Sequence, residues 1–185
     1  MTKVTAPEII DTTRLRLRRP KATDAEAVFA YGSDPQVARY ADWPARTSMD
    51  GLEESLRARA AAFDAGTDFN WIITFPGKDC AIGGVACSIE DDAAEIGFLL
   101  HRRYWGRGYT TEAAGAVLAW VRTLPSVAKV WATCDAENVA SARVLEKLGL
   151  TREAVLPRWR VRPNLGPEPR DAYLYTLDLA PDGET

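Results

Sequence analysis

Three apolar runs, residues 69–75, 81–89 and 94–100, lie in the middle of the chain with only short turn segments between them. Pro76-Gly77 separates the first pair, and Glu90-Asp91-Asp92 the second. Connections this short close hairpins, whereas a parallel crossover needs a dozen residues or more. The middle of the chain is therefore predicted to be an antiparallel meander, and the rest of the fold must be built around it. The pattern changes directly after the third run. Arg103-Tyr104-Trp105-Gly106-Arg107-Gly108 leads into residues 109–122, where Ala113, Val117, Trp120 and Val121 share one helical face.

The flanks supply the remaining elements. Residues 12–18 alternate Leu15 and Leu17 with Arg14, Arg16 and Arg18, the period of a half-buried strand. Thr23 followed by Glu26 is a capping-box signature ahead of a short helix over 25–31. Residues 33–47 contain Pro35 and Pro44 and are predicted as a loop carrying Tyr40, Asp42 and Trp43. Leu52, Leu56 and Phe63 fall on one stripe of a second helix, which Gly66 closes. Beyond the glycine loop come a strand over 127–134 and a helix over 135–147 stopped by Gly149. Two closing strands, 151–162 and 171–179, flank a Pro-rich segment. The predicted order is β-α-α-β-β-β-α-β-α-β-β, a mixed α/β sheet. One domain is expected over residues 1–180, with 181–185 as a loose polar tail.

Composition narrows the function classes. A chain of 185 residues with 46% apolar content, including six Trp and five Phe, can bury a single substantial core. The net charge of -3 lacks the basic excess of a nucleic-acid binder. Cys80, Cys87 and Cys134 are scattered and His101 is the lone histidine, so no metal site is expected. Scattered thiols suit a reducing compartment. No run approaches the ~18 apolar residues of a membrane helix, and residues 1–10 lack a signal-peptide core. The expectation is a cytoplasmic protein with neither membrane nor nucleic acid as partner.

The glycine loop carries the most chemistry. A helix start presents unbonded backbone N–H groups and a positive dipole end, and glycines let an anion approach that backbone closely. Arg102, Arg103 and Arg107 add positive charge. The loop is therefore a candidate phosphate cradle; the plainer alternative is a helix cap with ordinary turn glycines. A dinucleotide fingerprint would place a third glycine where Thr111 stands, and would open a parallel unit rather than follow a meander. No Gly-Lys-Ser/Thr is present for a P-loop.

Arg103-x-x-Gly106-x-Gly108 resembles the R/Q-x-x-G-x-G/A pyrophosphate signature of the GNAT superfamily of N-acetyltransferases. The string Tyr104-Trp105-Gly106-Arg107-Gly108-Tyr109-Thr110-Thr111-Glu112-Ala113 is similar to its RimJ/RimL-like branch. So is Asn138-x-x-Ser141 leading into Val144-Leu145-Glu146-Lys147-Leu148-Gly149. The resemblance runs from the Leu15/Leu17 strand to Tyr175. It implies a central sheet splayed open beside the strand that precedes the loop, with acetyl-CoA bound there. Backbone groups of Phe98, Leu99 and Leu100 would then meet pantetheine. Arg103, Trp105, Gly106, Arg107, Gly108, Tyr109 and Thr110 would hold the pyrophosphate, and Asn138 and Ser141 would lie by the pantetheine and sulfur.

Aminolysis of a thioester requires an amine freed of a proton, a stabilised oxyanion and a thiolate able to depart. Glu95, on the cofactor strand, resembles the strand glutamate that some members use as a base; an exposed strand carboxylate is the plain alternative. Ser141 is the candidate donor to the thiolate, because Leu145 stands where many members carry an acidic Tyr. Its alternative is a first-turn residue in a helix capped by Asn138. Tyr40 and Trp43 would wall the acceptor site. Cys134 is expected to be a buried inert thiol and His101 structural. Arg158, Arg160 and Arg162 alternate as one solvated strand face, within reach of either the cofactor's 3′-phosphate or a partner subunit. The resemblance implies acetyl transfer to a protein N-terminus or small amine, and a possible homodimer. A non-catalytic acyl-CoA sensor and a nucleotide-dependent oxidoreductase are the competing readings.

Overall fold

A computed structural model describes residues 4–66 and 68–179. The elements are β1 Ile9–Asp11, β2 Arg16–Arg18, α1 Ala25–Gly32, α2 Pro35–Ala38, α3 Leu52–Ala65, β3 Asp68–Phe75, β4 Lys78–Glu90 and β5 Ala93–Leu100. After them come α4 Tyr109–Val121, β6 Lys129–Asp135, α5 Val139–Lys147, β7 Thr151–Val161 and β8 Pro169–Asp178. The strands form one sheet in the order β1-β2-β3-β4-β5-β6-β8-β7. The meander β3-β4-β5 is antiparallel, as its short turns require. The expected tail, 181–185, lies outside the described residues.

Three readings of the N-terminal third need correcting. Residues 12–18 do not form one strand, because residues 12–15 make a turn between β1 and β2. The Thr12 N–H donates to the Leu15 carbonyl at 2.9 Å, and the Leu15 N–H donates to Thr12 Oγ1 at 3.0 Å. The capping box also lies two residues earlier than Thr23/Glu26. Asp24 accepts from the Lys21 N–H at 2.8 Å, closing a short 3₁₀ turn ahead of α1. Segment 33–47 is not all loop. Asp34 caps α2 by accepting from the Gln36 N–H at 2.9 Å, and Pro35 takes the first helical position, where a missing N–H costs nothing.

Two layers of side chains cover the sheet. Ala113, Ala114, Val117 and Val121 of α4 are fully buried on one face, against Trp71, Val85, Ala94, Ile96, Val130 and Ala132. Leu145 of α5 belongs to the same core. The other face meets α1, where Tyr31 packs on Ile72 and Ala81. Phe63 brings the end of α3 onto Phe69 and Trp71, with ring centroids 5.3 Å away in both cases. Arg18 is buried rather than solvated. It pairs with Asp24 at 2.6 Å and also binds Asp79, tying β2 to the first turn and to β4.

The feature that positions the site is the parallel join of β5 and β6. It has three residue pairs, Ala93↔Lys129, Ala94↔Val130 and Glu95↔Trp131. Both strands continue beyond, to Leu100 and Asp135, without pairing, and so leave a wedge in the middle of the sheet. On its other side β5 stays laddered to β4 as far as Gly83↔Leu100. Gly83 permits that close approach, since a Cβ there would strike the Leu99 carbonyl oxygen. Among the described residues no helix is long and apolar enough to cross a membrane.

Candidate active site

A cleft of about 1040 Å³ runs through the wedge and opens on both faces of the sheet. Ladder alternation decides which backbone groups of β5 face it. The His101 N–H donates to the Ile82 carbonyl at 2.8 Å, so residues 101, 99, 97 and 95 turn their backbone groups toward β4. Residues 96, 98 and 100 turn theirs toward the wedge. Phe98 therefore offers N–H and C=O to a ligand. Leu99 does not, correcting the expectation that its backbone meets pantetheine; its side chain lines the cleft instead. Leu100 offers only its N–H, because its carbonyl accepts from Trp105 Nε1 at 2.7 Å.

The glycine loop closes one end of the cleft. Gly106 and Gly108 have φ of 73° and 76°, a left-handed conformation that favours glycine, and Gly108 is the N-cap of α4. The first-turn N–H groups of α4 thus emerge where Gly108, Tyr109, Thr110 and Thr111 line the cleft. A Cβ on Gly106 would meet nothing within 4 Å, and one on Gly108 only the Arg14 guanidinium at 3.5 Å, so the rim is open to a bulky anion. Arg103 and Arg107 are exposed and do not line the cleft. The Arg103 N–H donates to His101 Nδ1 at 3.1 Å, which gives His101 a structural task.

Across the wedge, α5 contributes Asn138 and Ser141. Asn138 Oδ1 accepts from the Ser141 N–H at 3.2 Å, making Asn138 the N-cap and leaving its Nδ2 for a ligand. Both residues line the cleft, and the Ser141 hydroxyl has no bonded partner among the described residues. Leu145 is 1% exposed one turn further on. Cys134 borders the cleft, but burial pushes its thiol up to about 11, so it is a neutral thiol near pH 7.

On the opposite face, Glu95 stands across from Ser88 on β4 and is half-buried. Burial pushes its carboxyl above the ordinary range, with help from Asp42 and Asp68, while Arg160 partly offsets them. Segment 38–45 roofs this side. Asn164, from the β7–β8 connection, donates to the Ala38 and Trp43 carbonyls at 2.7 and 2.9 Å and accepts from the Ala45 N–H at 2.8 Å. Arg160 pairs with Asp42 at 2.9 Å, and the Tyr40 hydroxyl reaches the Glu137 carbonyl at 3.4 Å.

A family model described as an acetyltransferase (GNAT) domain matches residues 14–151, most of the chain. The chain belongs to the GNAT acetyltransferase family. It is 29% identical over 170 residues to the uncharacterized N-acetyltransferase YnaD of Bacillus subtilis, spanning 91% of this chain and 95% of that one. A GNAT acetyltransferase structure from Bacillus anthracis superposes with a TM-score of 0.80 at 26% identity, covering 92% and 98% of the two chains. RimL, the ribosomal L7/L12 alpha-N-protein acetyltransferase solved with coenzyme A, superposes with a TM-score of 0.83 at 20% identity, covering 95% and 100%; that likeness is one of fold.

This GNAT acetyltransferase brings most of the sequence-named residues to one cleft: Glu95, Phe98, Leu99, Leu100, Trp105, Gly106, Gly108, Tyr109, Thr110, Asn138, Ser141, Tyr40 and Trp43. Sequence reasoning missed Asn164, and it read Arg160 and Arg162 as a solvated strand face, whereas both line the cleft and Arg162 is buried. Asn164 sits in a Pro-rich segment with no distinguishing neighbour. The two arginines matched the alternation of a solvated strand, which gives no sign of what packs over it.

Proposed function

We propose that this acetyltransferase carries acetyl directly from acetyl-CoA to a primary amine within one ternary complex. The observation that carries the reading is the wedge between β5 and β6, open to the N-terminus of α4 at one end and to Glu95 at the other. A single cleft thus offers an anion cradle and a carboxylate with a raised pKa on either side of one gap. Bound acetyl-CoA supplies an activated acetyl thioester. The α4 N–H groups behind Gly106 and Gly108 would hold its pyrophosphate, with Tyr109 and Thr110 beside them and Arg103 and Arg107 adding charge from the rim. The Phe98 backbone and Asn138 Nδ2 would hold the pantetheine arm.

Glu95 takes the proton of the incoming amine, directly or through a water molecule. A carboxylate whose pKa burial has raised is, when ionised, a stronger base than a free glutamate. Ser141 Oγ donates to the departing sulfur, a role its unbonded hydroxyl leaves open. Cys134, a neutral thiol, stays outside the reaction. The acceptor is a protein N-terminus or a small amine; the name of RimL supports the former. The reading also takes the protein to be cytoplasmic and a homodimer; the dimer is supported by the sheet-edge strand β7, which exposes Val155, Trp159 and Val161.

The test is release of free CoA thiol from acetyl-CoA in the presence of an amine panel, with thermal unfolding measured alongside. Acetyl-CoA is expected to raise Tm, and at least one amine to release CoA. Acetyl-CoA that protects without turnover on any amine would point to a sensor, and protection by NAD(P) alone would sink the assignment. Gly108→Val, which forces a β-branched residue into φ near +76°, is expected to raise the acetyl-CoA KM about tenfold or more by disturbing the cradle.

A further inference from the structure

Two guanidinium groups, those of Arg160 and Arg162, line the acceptor end of the cleft, a third, Arg170, lies behind its lining residue Asp135, and the three are not treated alike. Arg170 takes Asp135 at 2.8 Å and Glu137 at 2.9 Å. Arg160 takes Asp42 at 2.9 Å. Arg162 lines the same cleft with 7% of its surface exposed. Its backbone carbonyl accepts from the Leu165 and Gly166 N–H groups, which anchors the residue at the end of β7. Among the described residues its guanidinium has neither an ion pair nor a hydrogen bond. Burial, with Arg160, holds its pKa below the ordinary arginine value; Asp135 and Asp42 oppose this only in part, and both carboxylates are already bonded to the other two arginines.

A guanidinium carries five N–H donors, and a buried charge without a bonded partner is strongly unfavourable. No fully occluded side-chain nitrogen or oxygen of the described residues lacks a partner. The unbonded N–H groups of Arg162 must therefore open onto the cleft. The planar fork of a guanidinium matches a carboxylate or phosphate through paired hydrogen bonds. The Arg160–Asp42 pair acts electrostatically on both Arg162 and Glu95, so the unbonded fork and the raised carboxylate flank one ion pair.

We propose that Arg162 recognises an anionic group on the acceptor, so that the substrate is an amine that also bears a carboxylate or phosphate. The amine faces Glu95 while its anion sits on the Arg162 fork, which fixes the acceptor at both ends. This inference rests on the acetyl-transfer reading for the amine end; the anion site needs no catalysis to exist.

The test uses matched pairs that differ in one charge. Leucine is set against leucinamide, phosphoethanolamine against ethanolamine, and C-terminally amidated peptides with an acidic residue near the N-terminus against the same peptides without one. In at least one arm the anionic member is expected to have a kcat/KM about tenfold higher or more, and Arg162→Gln is expected to bring that ratio near one. Arg162→Lys, which keeps the charge but not the fork, should fall between. Binding of N-acetyl amino acids by calorimetry is the readout independent of turnover, and Arg162→Gln should weaken it by a similar factor.

Equal rates for every matched pair while CoA is being released would overturn the proposal and leave acetyl transfer intact. So would N-acetyl amino acids that fail to bind the wild type or bind Arg162→Gln equally well. No CoA release with any amine, together with carboxylate binding that needs Arg162, would sink acetyl transfer and keep the anion site. If Arg162→Gln lost affinity for acetyl-CoA by the factor seen for 3′-dephospho-acetyl-CoA on the wild type, Arg162 would serve the cofactor and the proposal would fail. Far-UV circular dichroism checks the variants; should Arg162→Gln not fold, the wild-type pairs and Arg162→Lys decide.

Discussion

Glu95 owes its chemistry to its place on β5. It is the last residue there to pair with β6, so its side chain stands at the mouth of the wedge with protein on one side and open cleft on the other. Half-burial raises its pKa, so the group loses its charge at a higher pH than a free glutamate. A base works when deprotonated, so kcat/KM is expected to fall as pH drops through that raised value. Glu95→Gln should erase this acidic limb and lower kcat about 10²-fold or more, as read from pH–rate profiles. Ser141→Ala is expected to lower kcat about tenfold to a hundredfold while acetyl-CoA affinity changes little, because the Ser141 N–H that bonds Asn138 remains. An unaltered kcat would take Ser141 out of the mechanism. Leu99 marks where residue-level reading stopped. Sequence placed it on the cofactor strand, but only the ladder parity shows that its backbone belongs to β4.

At the scale of elements, the roof over Glu95 is held by a latch that sequence does not advertise. Asn164 bonds three backbone groups of segment 38–45 across more than a hundred residues of chain. Asn164→Ala should cost about 1–3 kcal/mol of stability and raise the acceptor KM, while the acetyl-CoA KM stays put. Equal effects on both substrates would mean that the roof and the cradle are one unit. The elements that patterning recovered are those whose burial follows chain periodicity: the β3-β4-β5 meander, α3 with its Gly66 stop, and α4. Those it missed are set by single contacts. The turn between β1 and β2 depends on Thr12 hydrogen bonds, and α2 on the Asp34 cap. No hydrophobic period announces either one.

For the whole molecule, Glu112 joins the first hairpin to α4. Its carboxylate accepts from Thr12 Oγ1 at 2.7 Å, from the Arg14 N–H at 2.8 Å and from Arg14 Nε at 2.6 Å. Burial alone would raise its pKa, but these bonds outweigh that and hold it below the usual carboxylate range. A lowered folded-state pKa stabilises the fold at pH values above the unfolded-state value, and that contribution fades as pH falls through the folded-state value. Glu112→Gln should therefore lower Tm by several degrees at pH 7, corresponding to about 1–3 kcal/mol, and by less near pH 3. A Tm loss that does not change with pH would refute the ionic part of this account.

The three-pair join of β5 and β6 has a mechanical consequence. Only three rungs join the N-terminal block of five strands, β1 to β5, to the C-terminal block of three. A guest molecule that bonds to Phe98 along the open edge would act as a borrowed strand and stitch the two blocks together. Occupancy of the wedge would then add rungs to this seam, beyond the core under α4 that already spans both blocks.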